Sequence, residues 1–432
     1  MIVSCKILKF VFGSCSATIP KVKGEALPLK TRPCIALRFF VLLSMLALGS
    51  TLSDAAVPAK KKKPIRAAAR SAVALNVKTT TVRSPRIASA VPAKPYAKKA
   101  VATKKVSKGP WRVPNYADST EGDFIDGEDL AVRRAAVDAL GPLNGTVVVT
   151  QPETGRVLTM VNQKLALQHG YQPCSTVKVP VALAALSEGV IDRQTLIRVY
   201  GRTTFDMTTA LAKSNNQYFA SLGQRLGFDR MSYYARLFGL GEKAGLDIAG
   251  EQPGILPEAT PKSGMGMMTS FGDGITLTPL EFAALIGAVA NGGTLYYLQY
   301  PKSQQEAQAL TPRVKRRLDI EDLIPEIKPG MMGAVEYGTA RRIGFDPNEP
   351  IYGKTGTCTD TRTPTHLGWF GSFTEVGKNH LVVVVLLTGG SAVSGPAASG
   401  VAGEVYKNLG LETYFAQSHA TPTSPSVMIS NN

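Results

Sequence analysis

Residues 171–186 read YQPCSTVKVPVALAAL, and from 177 onward only Lys178 interrupts an apolar run rich in alanine. A helix at a protein surface keeps one polar face, and this stretch has none, so it is expected to be buried on all sides. Such a helix needs strands and other helices around it. The strands are legible at both ends of the folded region. Residues 145–150 form a β-branched run, Pro152-Glu153-Thr154-Gly155 makes a turn, and 156–162 is apolar again, which predicts a hairpin. Near the other end, 368–374 and 381–388 read as two more strands, the second so apolar that both faces should be covered. Residues 282–291 predict a second apolar helix, stopped by Gly292-Gly293. The expected fold is mixed α/β: a central, mainly antiparallel sheet built from N- and C-terminal strands, covered by helices, with an all-helical part between them.

Charge divides the 432 residues unevenly. The formal net charge is +17, yet 110–432 hold twenty-seven Lys/Arg against thirty acids, while 58–109 hold fifteen Lys/Arg and no acid. The basic character therefore belongs to an N-terminal tail, and no nucleic-acid partner is expected. Lys30, Arg32 and Arg38 precede an apolar run at 39–52, and small residues follow at Ser53, Ala55, Ala56 and Ala59. That order describes an export signal, shorter than the roughly 20 residues a bilayer span needs. Residues 1–56 are accordingly expected to be a signal sequence or N-terminal membrane anchor, with the rest exported to the periplasm or cell envelope. Residues 57–109, mostly Lys, Ala, Pro and Val, cannot build a core and are read as a disordered basic linker. It is either a solvated tether or a contact for anionic wall polymers or lipid headgroups. The folded domain is expected at 110–412, followed by a flexible tail at 413–432. Of five cysteines, Cys5, Cys15 and Cys34 fall within the export segment, which leaves Cys174 and Cys358 in a compartment that permits disulfides.

Three short stretches carry chemistry. Ser175 opens the buried helix, where its own backbone N–H and the positive dipole end suit an oxyanion. Lys178 lies three residues on and so shares a helix face with Ser175. Set among Val177, Val179, Val181 and Ala182, its amine is desolvated and its neutral form favoured, which fits a base for the Ser175 hydroxyl. The competing reading has Lys178 reaching from a helix end to water. Ser175 is the only serine followed by lysine at the third position. In Lys213-Ser214-Asn215-Asn216, Ser214 can relay a proton and Asn216 can hold a substrate amide, or the segment is simply a polar cap. In Gly353-Lys354-Thr355-Gly356-Thr357, an edge strand with a bare Gly356 lets a peptide backbone approach, and Lys354, Thr355 and Thr357 can grip a carboxylate. The N–H of Thr357 is the second candidate oxyanion donor. Rival spellings at Lys262-Ser263-Gly264 and Ser430-Asn431-Asn432 lack a strand or core context.

The order S-x-x-K, S-x-N, K-[ST]-G resembles the penicillin-binding transpeptidases and serine β-lactamases. Residues 171–175, the stretch GLGEKAGLDIAGEQPGILP at 239–257, and Gly272-Asp273-Gly274 with Ala290-Asn291-Gly292-Gly293 are similar to the same family. The resemblance implies a penicillin-binding transpeptidase fold and a serine D-Ala-D-Ala transpeptidase or carboxypeptidase acting on peptidoglycan stem peptides and acylated by β-lactam antibiotics. It implies Ser175 as nucleophile, Lys178 as its base, Ser214 as proton shuttle, and Asn216, Lys354, Thr355, Gly356 and Thr357 as substrate-binding residues. The backbone N–H groups of Ser175 and Thr357 would form the oxyanion hole, and no metal or cofactor is called for.

Two departures matter. Cys174 stands where the family usually has Gly or Ala, and Cys358 follows the third motif. Some related β-lactamases join these motif-relative positions, which implies a Cys174–Cys358 bond here. No Glu-x-x-x-Asn segment after Ser214 fits the pattern of the class A β-lactamases, and Asn216 departs from the Val of class D, so no deacylating base is placed. Penicillin is therefore expected to inhibit rather than to be destroyed. A β-lactamase and a penicillin-binding sensor without turnover are the alternatives.

Overall fold

The computed structural model describes residues 113–360, 364–375, 380–410 and 414. The expected export signal and basic linker lie outside them, as does the C-terminal tail apart from Tyr414, which donates to Asp129 Oδ2 at 2.8 Å. In chain order, α1 (Leu130–Leu140) leads into a hairpin of β1 (Gly145–Gln151) and β2 (Arg156–Val161), then the short α2 (Gln163–Ala166). The buried segment forms a 3-10 turn (Cys174–Val177) continued by α3 (Lys178–Ser187). A ribbon of β3 (Ile197–Tyr200) and β4 (Thr203–Phe205) precedes the helices α4 (Met207–Ala212), α5 (Asn216–Leu237), α6 (Met265–Phe271) and α7 (Pro279–Ala290). A second ribbon, β5 (Thr294–Tyr296) with β6 (Val314–Arg317), encloses α8 (Gln304–Gln308). Then come α9 (Ile324–Glu336), the strands β7 (Ile351–Asp360), β8 (Thr365–Thr374) and β9 (Leu381–Gly389), and α10 (Gly395–Leu409).

The main sheet runs β2-β1-β9-β8-β7, with every neighbouring pair antiparallel. The N-terminal hairpin joins the C-terminal strands through β1 and β9, with Val147 opposite Val385. Side chains alternate across a strand, and β9 uses both sides. Val382, Val384 and Leu386 enter one core with Val181 and Leu183 of α3 and Phe282 and Ile286 of α7. Val383, Val385 and Leu387 enter a second core with Val132 and Ala136 of α1 and Ala402 and Val405 of α10. Helices on both faces explain why this strand has no polar side.

Buried helix α7 begins three residues before its apolar stretch because Thr278 caps it. Thr278 Oγ1 accepts from Glu281 N, Glu281 Oε2 accepts from Thr278 N, and Pro279 occupies the first turn. The same carboxylate accepts from Gly241 N and Gly254 N, both at 2.9 Å, tying the 239–257 stretch to α7. The helix expected to open at Ser175 differs in detail. Residues 174–177 are a 3-10 turn, and the α-helix starts at Lys178.

Candidate active site

That 3-10 turn is held from both sides. Pro173 O accepts from Thr176 N at 3.1 Å and from Thr176 Oγ1 at 2.6 Å. Gln172 O accepts from Trp369 Nε1 of β8 at 2.9 Å. Cys174 sits at φ 53°, a left-handed conformation that costs a residue with a Cβ about 1–2 kcal/mol. Its sulfur is bonded to Cys358 on β7, with Cα atoms 5.6 Å apart. With three residues per 3-10 turn, positions i and i+3 eclipse. Lys178 therefore stands directly over Ser175, Nζ to Oγ 2.8 Å.

The second motif reaches the same amine by a sharp reversal between two helices. Asp206 caps α4, accepting from Thr209 N at 2.7 Å, and Asn215 caps α5, accepting from Tyr218 N at 2.8 Å. Asn215 is thus the polar cap, while its neighbours turn inward. Ser214, at φ 54°, is pushed into the left-handed region between the helices. Both its carbonyl and its hydroxyl then face Lys178 Nζ, at 2.8 and 3.1 Å. Asn216 Oδ1 completes the set at 2.6 Å.

Lys178 is 0% exposed, so it does not reach water. Burial, with the nearby Lys354 as a second cause, pushes its amine down to about 6. The partners suit the neutral form. A neutral amine has two N–H donors and one lone pair. Two obligate acceptors, Ser214 O and Asn216 Oδ1, take the two donors. The lone pair is left for a serine O–H, and Ser175 Oγ is nearer than Ser214 Oγ.

On β7, at the end of the sheet, alternation splits the third motif. Lys354 is 0% exposed and points to the nucleophile's side, its Nζ 2.8 Å from Ser214 Oγ and 2.9 Å from Thr355 O. Burial pushes this amine down to about 7. Ser214 Oγ consequently lies between two buried lysines. Thr355 and Thr357 take partners elsewhere: Thr355 Oγ1 meets Thr339 Oγ1 at 2.5 Å, and Thr357 Oγ1 accepts from Gly395 N at 2.7 Å.

Gly356 also serves the fold. A Cβ there would lie 2.9 Å from Pro173 O and 3.1 Å from Thr176 Cγ2. Its bareness lets the strand seat on the serine's turn. Lys262-Ser263-Gly264 forms a turn before α6 rather than a strand, and Ser430-Asn431-Asn432 lies outside the described residues. The structure thus gathers Ser175, Lys178, Ser214, Asn216 and Lys354 around two amines. Thr339 escaped the sequence reading, because a lone threonine sixteen residues before Thr355 carries no signal until the chain folds.

A family model described as "Penicillin binding protein transpeptidase domain" matches residues 145–409. Stage V sporulation protein D of Bacillus subtilis is 27% identical over 293 residues, covering 59% of this chain and 45% of that protein. Peptidoglycan D,D-transpeptidase MrdA of Acinetobacter baumannii is 28% identical over 287 residues, covering 54% and 42%. The match spans less than half the length of either relative. The crystal structure of PBPA from Mycobacterium tuberculosis shares the fold, with a TM-score of 0.54 and 24% identity over 65% of this chain and 81% of that one.

Proposed function

From the premise that the chain belongs to the penicillin-binding protein transpeptidase family, we propose that it is an exported serine D,D-transpeptidase or D,D-carboxypeptidase of peptidoglycan stem peptides. The observation that carries this reading is the contact of Ser175 Oγ with the fully buried Lys178 amine at 2.8 Å.

Ser175 Oγ attacks the carbonyl carbon of the penultimate D-Ala as its proton passes to Lys178 Nζ. The N–H groups of Ser175 and Thr357 stabilise the oxyanion. As the C–N bond breaks, Ser214, within reach of both lysines, relays a proton to the departing D-Ala nitrogen. The acyl-enzyme is then attacked by an acceptor amine, giving a crosslink, or by water, giving a trimmed peptide. Asn216 holds the substrate amide. The terminal carboxylate is met by Lys354 and the hydroxyls of Thr355 and Thr357. Thr357 suits this role, because Gly395 N already occupies one lone pair and leaves the O–H proton free to donate.

β-Lactams mimic the donor and acylate the same serine. We read residues 1–56 as an export signal or anchor, 57–109 as either a tether for the 110–412 domain or a contact for anionic polymers or headgroups, and 413–432 as a tail. Among the described residues no helix is long and apolar enough to cross a membrane. Fluorescent penicillin is the test. A stable adduct on wild-type protein, absent in Ser175→Ala, with D-Ala release from a D-Ala-D-Ala peptide, supports the reading. Rapid loss of label identifies a β-lactamase instead, and a stable adduct without peptide turnover identifies a sensor.

A further inference from the structure

Thr355 and Thr357 project from the same side of β7, and the proposed reading asks both hydroxyls to donate to one carboxylate. A hydroxyl has a single proton, so each can do this only if its other neighbour gives a hydrogen bond rather than taking one. For Thr357 the polarity is fixed, since Gly395 N–H can only donate. For Thr355 the neighbour is another hydroxyl, Thr339 Oγ1, at 2.5 Å, and either atom can be the donor.

We propose that Thr339 is a positioning residue for carboxylate recognition, donating to Thr355 Oγ1 so that the Thr355 proton faces the substrate. This rests on the reading of Thr355 given above. The turn bearing Thr339 is fixed firmly enough for the task. Thr339 N donates to Ala212 O at 3.3 Å, and a Cβ on Gly338 would lie 2.2 Å from that same oxygen, so the turn is seated against the end of α4. Two residues later, Ser214 Oγ takes a hydrogen bond from Lys354 Nζ, which also donates to Thr355 O. Second and third motifs are thereby closed into one ring through Thr339. Thr355 is 4% exposed, so water is a poor substitute for the Thr339 hydroxyl.

The experiment compares second-order acylation by a penicillin with that by its methyl ester, which keeps the reacting ring and lacks the charge. Thr339→Val is expected to slow acylation by the acid about fivefold while the ester rate holds, and Thr339→Ser to restore the wild-type acid-to-ester ratio. Thermal melting checks that the variants fold. Equal slowing of acid and ester by Thr339→Val, or an unchanged ratio, overturns the proposal. Thr355→Val separates the layers. If it lowers the ratio and Thr339→Val does not, only the inference about Thr339 fails. If it leaves the ratio unchanged, the carboxylate role of Thr355 fails and takes this inference with it.

Discussion

Asn216 holds the Lys178 amine at 2.6 Å through an uncharged carbonyl, and replacing it with aspartate tests the base mechanism most directly. In the wild type Lys178 sits at about 6. About one molecule in ten then carries the neutral amine at pH 5 and about nine in ten at pH 7. Acylation by an uncharged ester, which removes the need for a charged Lys354, should rise about tenfold over that interval and level off. With a carboxylate substrate a falling limb appears as well, because Lys354 loses its charge through about 7. The two limbs belong to the lysine pair rather than to either residue alone. A carboxylate at position 216 stabilises the ammonium, and an opposite charge at such range raises a pKa by about 1–3 units. A shift of about two units leaves about one neutral amine in ten at pH 7, so Asn216→Asp should acylate about tenfold more slowly there and recover near pH 9. The assay is stopped-flow or gel-based acylation with a fluorescent β-lactam ester from pH 4.5 to 9.5. A wild-type rate that climbs tenfold per pH unit across the whole range would mark Lys178 as an ordinary lysine near 10.5. An Asn216→Asp profile with an unmoved limb would refute the assignment of that limb to Lys178.

Lys178→Met keeps the packing and removes the base, so acylation should fall about 100- to 10,000-fold without loss of melting temperature; a smaller loss points to another base. A non-reduced digest should yield the peptides of Cys174 and Cys358 joined. The bond closes a 184-residue separation, so a Cys174→Ser/Cys358→Ser variant should lose about 2–5 kcal/mol in urea unfolding, and equal stability would show the bond does not form in solution. Burial pushes the Glu281 carboxyl up to about 7, so the folded state holds its proton to higher pH than the unfolded chain, near 4.5. Wild type should therefore gain stability over Glu281→Gln as pH falls from about 7 to about 4.5, and a pH-independent difference would refute this. The glutamine amide also meets backbone N–H donors, which should cost about 1–3 kcal/mol overall.

What the sequence reveals here is what short range decides. Ser175 and Lys178 are three residues apart, and a 3-10 or an α turn puts both on one side, so their meeting was legible although the type of turn was not. The 3-10 turn begins at Cys174, which sits at φ 53° and is bonded to a partner 184 residues away. The all-apolar spelling of 381–387 announced two covered faces because alternation has period two whatever packs against it. The second motif was ambiguous between cap and site because Asn215 caps α5 while Ser214, beside it, aims two oxygens at Lys178. The close seating of Gly356 on Pro173 and Thr176 was not legible, because those residues are distant along the chain. Thr339 was invisible for the same reason. Motif spelling reports which groups can react, while the polarity of each hydrogen bond is set by contacts made only in the folded chain. The lysine pair shows why that second layer decides function. Either amine alone in water is a cation, and their shared burial on opposite sides of one serine hydroxyl favours the neutral form of both, Lys178 further than Lys354.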